Sequence, residues 1–184
     1  MGLDIDSMVE RLSGAVAEHT PPLAVRDILD EALAEGGLEA ALPPLTEGGI
    51  TALHRADDLT VLRVAWTPGM RLNPHNHEMW AVIGLYGGVE DNAFYRRDAA
   101  TGLVAAGGKQ VPAGEVLVLG DDVIHSVANT RQEYAVALHI YGGDFFNAAR
   151  SEWDWETFTE GPRDLENTRR LFTEANERWA TGGR

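Results

Sequence analysis

The sequence predicts a mainly β fold, a sandwich or barrel of short strands with helices before and after it. Between about residues 50 and 141, runs of high β propensity are separated by Gly, Pro, Asp and Asn. Apolar residues recur at helical spacing on both sides of this region. The 184 residues are enough for one domain with a sizeable core. We therefore expect a single domain over 1–184, with N-terminal helices in 1–45, a barrel in 46–148 and a helical extension in 149–184.

Three helices are predicted before the barrel and one after it. The first covers apolar residues from Ile5 to Val16, with acidic residues available to cap its first turn. The two prolines at 21–22 end this helix and can begin a second, which ends at the glycine pair 36–37. A short third helix is predicted around 38–42, before two further prolines. The last helix is predicted over 164–180.

The central region is predicted to contain seven strands, at residues 60–66, 78–86, 91–97, 103–111, 115–119, 123–129 and 134–141. The last of them separates two faces most clearly. One face carries mostly larger apolar residues, and the other carries Ala135, Ala137, His139 and Tyr141. Small residues beside polar ones leave room for a cavity on that second face. In the run 123–129, His125 would likewise face the interior of a barrel.

The composition excludes several classes of partner. With 29 acidic and 15 basic residues the net charge is −14, which repels phosphate backbones and anionic membrane surfaces. Neither nucleic acid nor membrane is therefore an expected partner, and the sequence sets no oligomeric state. The chain has no Cys, so a metal would have to be held by His and carboxylate side chains. The first segment lacks the basic start and continuous apolar core of a signal peptide, so a cytoplasmic location is expected.

The stretch from Asn73 to Gly88, NPHNHEMWAVIGLYGG, carries the strongest chemical signal. It places His75 and His77 two residues apart at the start of an apolar, strand-like run. Residues two apart on a strand project from the same face. Two imidazoles on one face form half of a site for a first-row metal, and the other ligands must come from elsewhere in the chain.

Two sets of residues in this region have a recognisable spacing: Gly69-x5-His75-x-His77 with Gly84 and Gly87-Gly88, then Pro112-x-Gly114 and His125-x3-Asn129. They resemble the two motifs of the cupin superfamily. That resemblance implies a double-stranded β-helix, or jelly-roll barrel, built around one metal. The glutamate usual in the first motif is replaced here by Ala81 and Val82. The ligand set that the resemblance implies is therefore His75, His77 and His125.

A cupin that lacks this glutamate is similar to the thiol dioxygenases, above all the cysteine dioxygenase family. The segment HSVANTRQEYAVALHIY, residues 125–141, resembles the part of those enzymes that contains the third ligand and a His-x-Tyr pair. The resemblance implies that His139 and Tyr141 lie beside the iron as catalytic residues, and that Arg55 binds the substrate carboxylate. It further implies Fe(II) as cofactor, with another divalent metal as the alternative, and a small thiol carboxylate and O2 as partners.

The chemistry of such a site agrees with these residues. Three neutral imidazoles leave a divalent metal its full charge and up to three open positions, enough for a bidentate substrate and dioxygen. A thiol bound to the metal would lose its proton near neutral pH, and both atoms of dioxygen could be delivered to the sulfur to give a sulfinic acid.

Each assignment has an alternative. His139 and Tyr141 can form a buried hydrogen-bonded pair with no catalytic part. Arg55 can be a solvated loop residue, in which case the substrate acid would bind Arg71, Arg96 or Arg97. Two carboxylates remain candidates for a fourth ligand, Glu78 and Glu90.

Two further function classes fit the same histidines. One is a metal-dependent cupin oxygenase, lyase or isomerase that acts on a small molecule without a thiol. The other is a cupin that binds a metal or a ligand without catalysis. The shape of the pocket would separate the first of these from a thiol dioxygenase.

Overall fold

The computed structural model describes residues 3–182, so the outermost residues of the predicted domain, 1–2 and 183–184, lie outside the described part. The helices are α1 (Ile5–Ala15), α2 (Pro21–Glu35), α3 (Leu38–Ala41) and α4 (Leu165–Ala180). The strands are β1 (Gly49–Arg55), β2 (Thr60–Trp66), β3 (Arg71–Asn76), β4 (Ala81–Gly87), β5 (Val89–Asp98), β6 (Gly102–Pro112), β7 (Val116–Leu119), β8 (Ile124–Ala128), β9 (Ala135–Tyr141), β10 (Ser151–Trp153) and β11 (Glu160–Pro162).

The strands form two antiparallel sheets with the orders β1-β2-β9-β4-β7 and β11-β10-β3-β8-β5-β6. The eight strands from β2 to β9 pair as a nested set, β5 with β6, β4 with β7, β3 with β8 and β2 with β9. A long antiparallel hairpin rolled up in this way, with alternate pairs in opposite sheets, is a jelly roll. The predicted double-stranded β-helix with N-terminal helices and a C-terminal helix is therefore confirmed.

Strand β9 separates the two main cores of the protein. Ala135, Ala137 and Tyr141 belong to the core between the sheets. Leu138 and Ile140, on the opposite face, belong to a second core shared with the N-terminal helices. The face that the sequence predicted to line the cavity is thus the inner face. All seven residues of β9 are buried because helices cover the outer face.

The N-terminal helices begin and pack as their sequence predicts. The Asp4 side chain caps α1 by accepting a hydrogen bond from the backbone N–H of Ser7. In α2, Leu29 is fully buried and faces Gly84 of β4, where an added Cβ would lie 3.2 Å from the leucine Cδ1. This glycine lets the helix approach the sheet closely. Over residues 3–182, no helix combines the length and apolar character needed to cross a membrane.

Three features of the β region differ from the prediction. The run predicted as a strand over 78–86 becomes β4 only at Ala81, and β1 and β3 were not predicted. β3 contains Pro74, and the register of its pairing with β8 shifts between Leu72 and His75. Such an irregularity accommodates a proline inside a sheet but hides the strand from propensity arguments. The segment predicted as a helical extension also contributes β10 and β11 to the second sheet.

Helix α4 is held across one end of the first sheet by a pair of hydrogen bonds. The Asn176 side chain accepts from the backbone N–H of Gly48 at 3.0 Å and donates to its carbonyl at 2.9 Å. Phe172 of the same helix stacks on Trp66, with ring centroids 5.4 Å apart. Gly48 is closely packed, since an added Cβ would lie 2.0 Å from the Thr67 Oγ1. This contact leaves no room for any side chain.

Replacing Gly48 with Ala should therefore lower the free energy of unfolding by about 2 kcal/mol or more, because the methyl group would push apart Thr67 and the α4 contact. Gly49→Ala is a matched control, since nothing lies within 4 Å of an added Cβ there. Urea unfolding of both variants measures the difference. Equal stability of the two variants would contradict the packing described here.

Candidate metal site

Three buried histidines meet inside the barrel. His75 lies near the end of β3, His77 follows that strand, and His125 lies on β8, where it pairs directly with His75 across the sheet. One ring nitrogen of each histidine lies within 4.8 Å of the others. Their exposed fractions are 5%, 2% and 1%. The structure therefore brings together the three residues that the sequence predicted as metal ligands.

The two histidines of the first motif lie at the end of a strand, whereas the sequence predicted them at the start of one. They do not share one continuous strand, because β3 ends at Asn76 and Glu78 adopts a left-handed backbone conformation with φ 55°. Asn76 stabilises this turn, since its side chain donates to Glu78 and accepts from the backbone N–H of Ser151. Glu78 is exposed and lies outside the histidine cluster. It is therefore not a fourth ligand in this arrangement.

Hydrogen bonds set the orientation of two of the rings. The Nδ1 of His75 lies 2.8 Å from the Asn73 carbonyl oxygen, and the Nδ1 of His125 lies 2.7 Å from the Asn92 Oδ1. An oxygen of this kind can only accept, so each Nδ1 carries the hydrogen and each Nε2 presents its lone pair. Among residues 3–182, the His77 Nδ1 has no hydrogen-bond partner.

The spacing of the nitrogens fits a single bound metal ion. The Nε2 atoms of His77 and His125 are 3.4 Å apart. Two nitrogens at about 2.1 Å from one ion, at a tetrahedral angle, are about 3.4 Å apart. Burial lowers the pKa of His125 to about 4. Burial, with the charges of Arg163 and neighbouring groups, also holds the pKa of His75 and His77 well below the usual range. The rings are therefore neutral near pH 7, as metal binding requires.

His139 and Tyr141 lie beside this cluster, on the inner face of β9. The His139 Nδ1 is 3.1 Å from the Tyr141 hydroxyl, and the tyrosine ring packs edge-on against His77 with centroids 5.0 Å apart. Burial raises the pKa of Tyr141 well above its usual value. The hydroxyl therefore keeps its proton near the histidines.

A buried carboxylate joins the two halves of the site. Glu90 is fully buried and accepts hydrogen bonds from the Trp66 Nε1 at 2.6 Å and the Asn92 Nδ2 at 2.9 Å. Its Oε2 is 3.6 Å from the Nε2 of His139, an electrostatic contact longer than a hydrogen bond. Burial favours the neutral acid, but the interactions with His139 and Asn92 outweigh it and lower the Glu90 pKa.

Glu90 and Asn92 therefore support the site from the strand β5. Asn92 orients the ring of His125, while Glu90 faces His139. The sequence suggested Glu90 only as a fourth ligand. In the structure it lies outside the histidine cluster and contacts His139 and Asn92. The local signal for this role was the spacing of two polar residues, Glu90 just before the strand predicted at 91–97 and Asn92 within it.

The arginine predicted to bind substrate lies elsewhere. Arg55 ends β1 with a side chain 47% exposed, bound to Asp144 at 3.2 Å and placed over the Phe146 ring. It does not line the histidine cavity. The structure therefore gives no support to the predicted contact of Arg55 with the substrate. The alternatives Arg71, Arg96 and Arg97 are all exposed.

Two arginines that the sequence did not indicate lie close to the histidines. The Arg163 side chain is 4% exposed, lines the cavity and binds Glu152 at 2.9 Å. Arg150 is 7% exposed and lies over the Phe145 ring at 4.0 Å. Within the described part of the chain, both guanidinium groups retain nitrogens without a partner. Burial lowers the pKa of Arg150 to about 10 and also lowers that of Arg163, so both stay charged at pH 7.

The cavity beside the histidines is small. Its volume is about 20 Å³, and its walls include the three histidines, His139, Tyr141 and Arg163. This is about the space that one water molecule needs. In this conformation the cavity can therefore hold an ion, and an organic substrate would need part of the cavity wall to move.

No family model matches the chain. Several solved structures are similar to this chain. One is a conserved protein with a double-stranded β-helix domain from Klebsiella pneumoniae, which is 13% identical. The alignment has a TM-score of 0.41 and covers 67% of this chain and 90% of that one. An RmlC-like cupin family protein from Methanocaldococcus jannaschii is 8% identical, with a TM-score of 0.46 over 56% of this chain and 89% of that one. An oxalate decarboxylase from Lactobacillus farciminis is 16% identical, with a TM-score of 0.44 over 55% of this chain and 30% of that one. The fold assignment rests on the strand order of the present chain.

The first prediction from this site is that one divalent metal binds per chain. Replacing His75, His77 or His125 with Ala should each remove most of it, because two nitrogens bind far more weakly than three. His19→Ala is the matched control, since His19 is exposed in the bend between α1 and α2. Metal analysis of purified protein checks this. A full equivalent of metal in all three variants would place the site elsewhere.

The pKa values predict how the stability of the metal-free protein depends on pH. An unfolded imidazole takes up its proton near pH 6.5, whereas folded His125 does so only near pH 4. Between these values the unfolded state binds more protons, so the free energy of unfolding should fall as the pH falls. The expected slope is about 1.4 kcal/mol per pH unit for each histidine that stays neutral.

Urea unfolding of the metal-free protein at pH 7, 5.5 and 4.5 measures this slope. In the His125→Asn variant the slope should be smaller by about 1.4 kcal/mol per pH unit, the contribution of one proton. The same slope in both proteins would contradict the assignment of His125 as a neutral buried group.

Proposed function

We propose that this protein is a metal-dependent thiol dioxygenase that converts a small thiol carboxylate and O2 into the corresponding sulfinic acid. Both oxygen atoms enter the product, and the sulfur supplies the four electrons that reduce them. The observation that supports the proposal is the composition of one cavity. It combines three neutral histidines and no carboxylate ligand with a tyrosine hydroxyl and a buried arginine.

The donor set is compatible with divalent iron. Three imidazole nitrogens suit iron, copper, nickel and zinc, and only a redox-active metal can take part in dioxygen chemistry. When bound, iron supplies open coordination positions and one-electron chemistry for dioxygen and the thiol. The protein holds the iron in place, sets the charge around it and keeps water away from it.

Tyr141 is the residue best placed to hold a proton near the reacting atoms. Its hydroxyl is neutral, packs next to His77 and bonds to the His139 Nδ1. When the His139 Nδ1–H donates to the hydroxyl oxygen, the hydroxyl hydrogen is left to donate to a sulfur or oxygen atom that reacts in the cavity. His139 keeps this hydroxyl in place, and Glu90 faces the other nitrogen of the same ring.

Arg163 is the group that we assign to the substrate carboxylate. Its guanidinium lines the cavity, is shielded from water and has an Nε without a partner among the described residues. A planar guanidinium binds a carboxylate through two parallel hydrogen bonds. Arg150 adds a second positive charge near Tyr141. An anionic substrate would be favoured by both.

The test is an oxygen-consumption assay on the iron-loaded protein, with sulfinate measured as product. Tyr141→Phe should lower turnover by roughly tenfold to a thousandfold at unchanged metal content, because it removes one positioned donor and keeps the ring. Arg163→Gln should mainly raise the KM for thiol carboxylates. Arg55→Gln is its matched control and should leave the KM within about twofold.

Two outcomes would overturn this proposal. One is the absence of sulfinate from a panel of thiol carboxylates when the iron site is full. The other is a Tyr141→Phe rate within about twofold of the parent, which would leave the hydroxyl without a catalytic part.

A further inference from the structure

Two neighbouring cavities differ greatly in size. The one beside the histidines has a volume of about 20 Å³. A second pocket of about 530 Å³ lies between α4, the chain before β1 and the turn after β9. Ile50 and Phe145 line both cavities. These two side chains therefore form the wall between the small cavity and the large pocket.

Phe145 is the part of this wall that lies outside the two sheets. Ile50 lies in β1, where it pairs with Val64 of β2. Phe145 lies in the irregular segment after β9, directly following Gly142, Gly143 and Asp144. Its ring is held by side-chain contacts, at 4.5 Å from the Tyr141 ring and under the Arg150 guanidinium. A change of rotamer at Phe145 would join the two spaces without breaking a sheet.

The larger pocket has the surface of a site for an apolar group. Its inner wall consists of Ile50, Phe145, Phe146, Leu165 and Phe172. Polar and charged residues of α4, among them Arg169 and Thr173, line its outer part. Pockets of several hundred Å³ with an apolar wall and a few polar groups are typical of small-molecule sites.

We infer that the larger pocket receives the apolar body of the substrate while Phe145 turns aside to admit the reacting end to the histidines. The inference rests on the proposed function for the nature of that reacting end. The substrate would then be a thiol carboxylate that carries an alkyl or aryl substituent. The smallest members of the class would leave most of the pocket empty and gain little from it.

Zinc-loaded protein allows a test without turnover, because zinc has no redox chemistry. Calorimetry compares 2-benzyl-3-mercaptopropanoate with 3-mercaptopropanoate. The benzyl compound should bind roughly tenfold to a hundredfold more tightly, as expected for burying one aromatic ring. In Thr173→Trp the new indole should obstruct the pocket, so this advantage should disappear while the zinc content stays the same. Glu174→Trp is the matched control, since Glu174 is the next residue of α4 and does not line the pocket.

A third ligand separates this inference from the proposed function. 3-Phenylpropanoate has no thiol, and its binding to the metal-free protein should also be lost in Thr173→Trp and kept in Glu174→Trp. If that pattern holds while no thiol is oxidised, the pocket assignment stands and the dioxygenase proposal fails. Equal affinity for the two thiols, within about twofold, or binding unaffected by Thr173→Trp, would overturn the pocket assignment.

Discussion

The antiparallel pairing of β3 with β8 is the interaction on which the site depends most. It sets His75 opposite His125, and the pairing of β3 with β10 sets Glu152 opposite the same histidine. Glu152 in turn binds Arg163. These two registers on either side of β3 therefore position two candidate metal ligands and the glutamate that binds Arg163. A slip by one residue would turn these side chains to the other face of the sheet, so the pairing must be specified strongly.

The interior carries its charges in a pattern that favours an anionic ligand. Arg163 is paired with Glu152, but Arg150 has no carboxylate within hydrogen-bond distance among residues 3–182. Glu90 is the buried carboxylate on the other side of the cluster. The neutral histidines add no charge, so a divalent cation would leave the interior strongly positive. A ligand that brings a thiolate and a carboxylate would restore the balance that burial requires.

The parts of the fold that follow a simple period could be predicted from the sequence. β9 alternates cleanly because its two faces meet different environments, and α1, α2 and α4 show apolar stripes at helical spacing. β3 could not be predicted, since Pro74 and the irregular pairing beside it remove the strand signal. The pair His75 and His77 was predictable because metal ligands need particular residue types at particular spacings, and His125 was added by the resemblance of the two motifs.

Other parts of the site depend on tertiary contacts that leave no local pattern. Arg163 lies between β11 and α4, and Arg150 lies just before β10, in segments without a regular period. An arginine in such a segment is ordinarily exposed to solvent. Arg150 and Arg163 are buried because the closed barrel covers them, which the local sequence does not indicate. Arg55 stays at the surface with Asp144.

The two hydrogen bonds between Asn176 and Gly48 join residues 128 positions apart. The helix that they anchor also places Phe172 on Trp66, whose indole N–H holds Glu90. Contacts between such distant parts of a chain carry a large loop-closure cost. During synthesis all strands of the jelly roll leave the ribosome before this helix does. Docking of α4 on Trp66 is therefore the contact behind the Glu90 carboxylate that can be added only after every strand of the barrel has been synthesised.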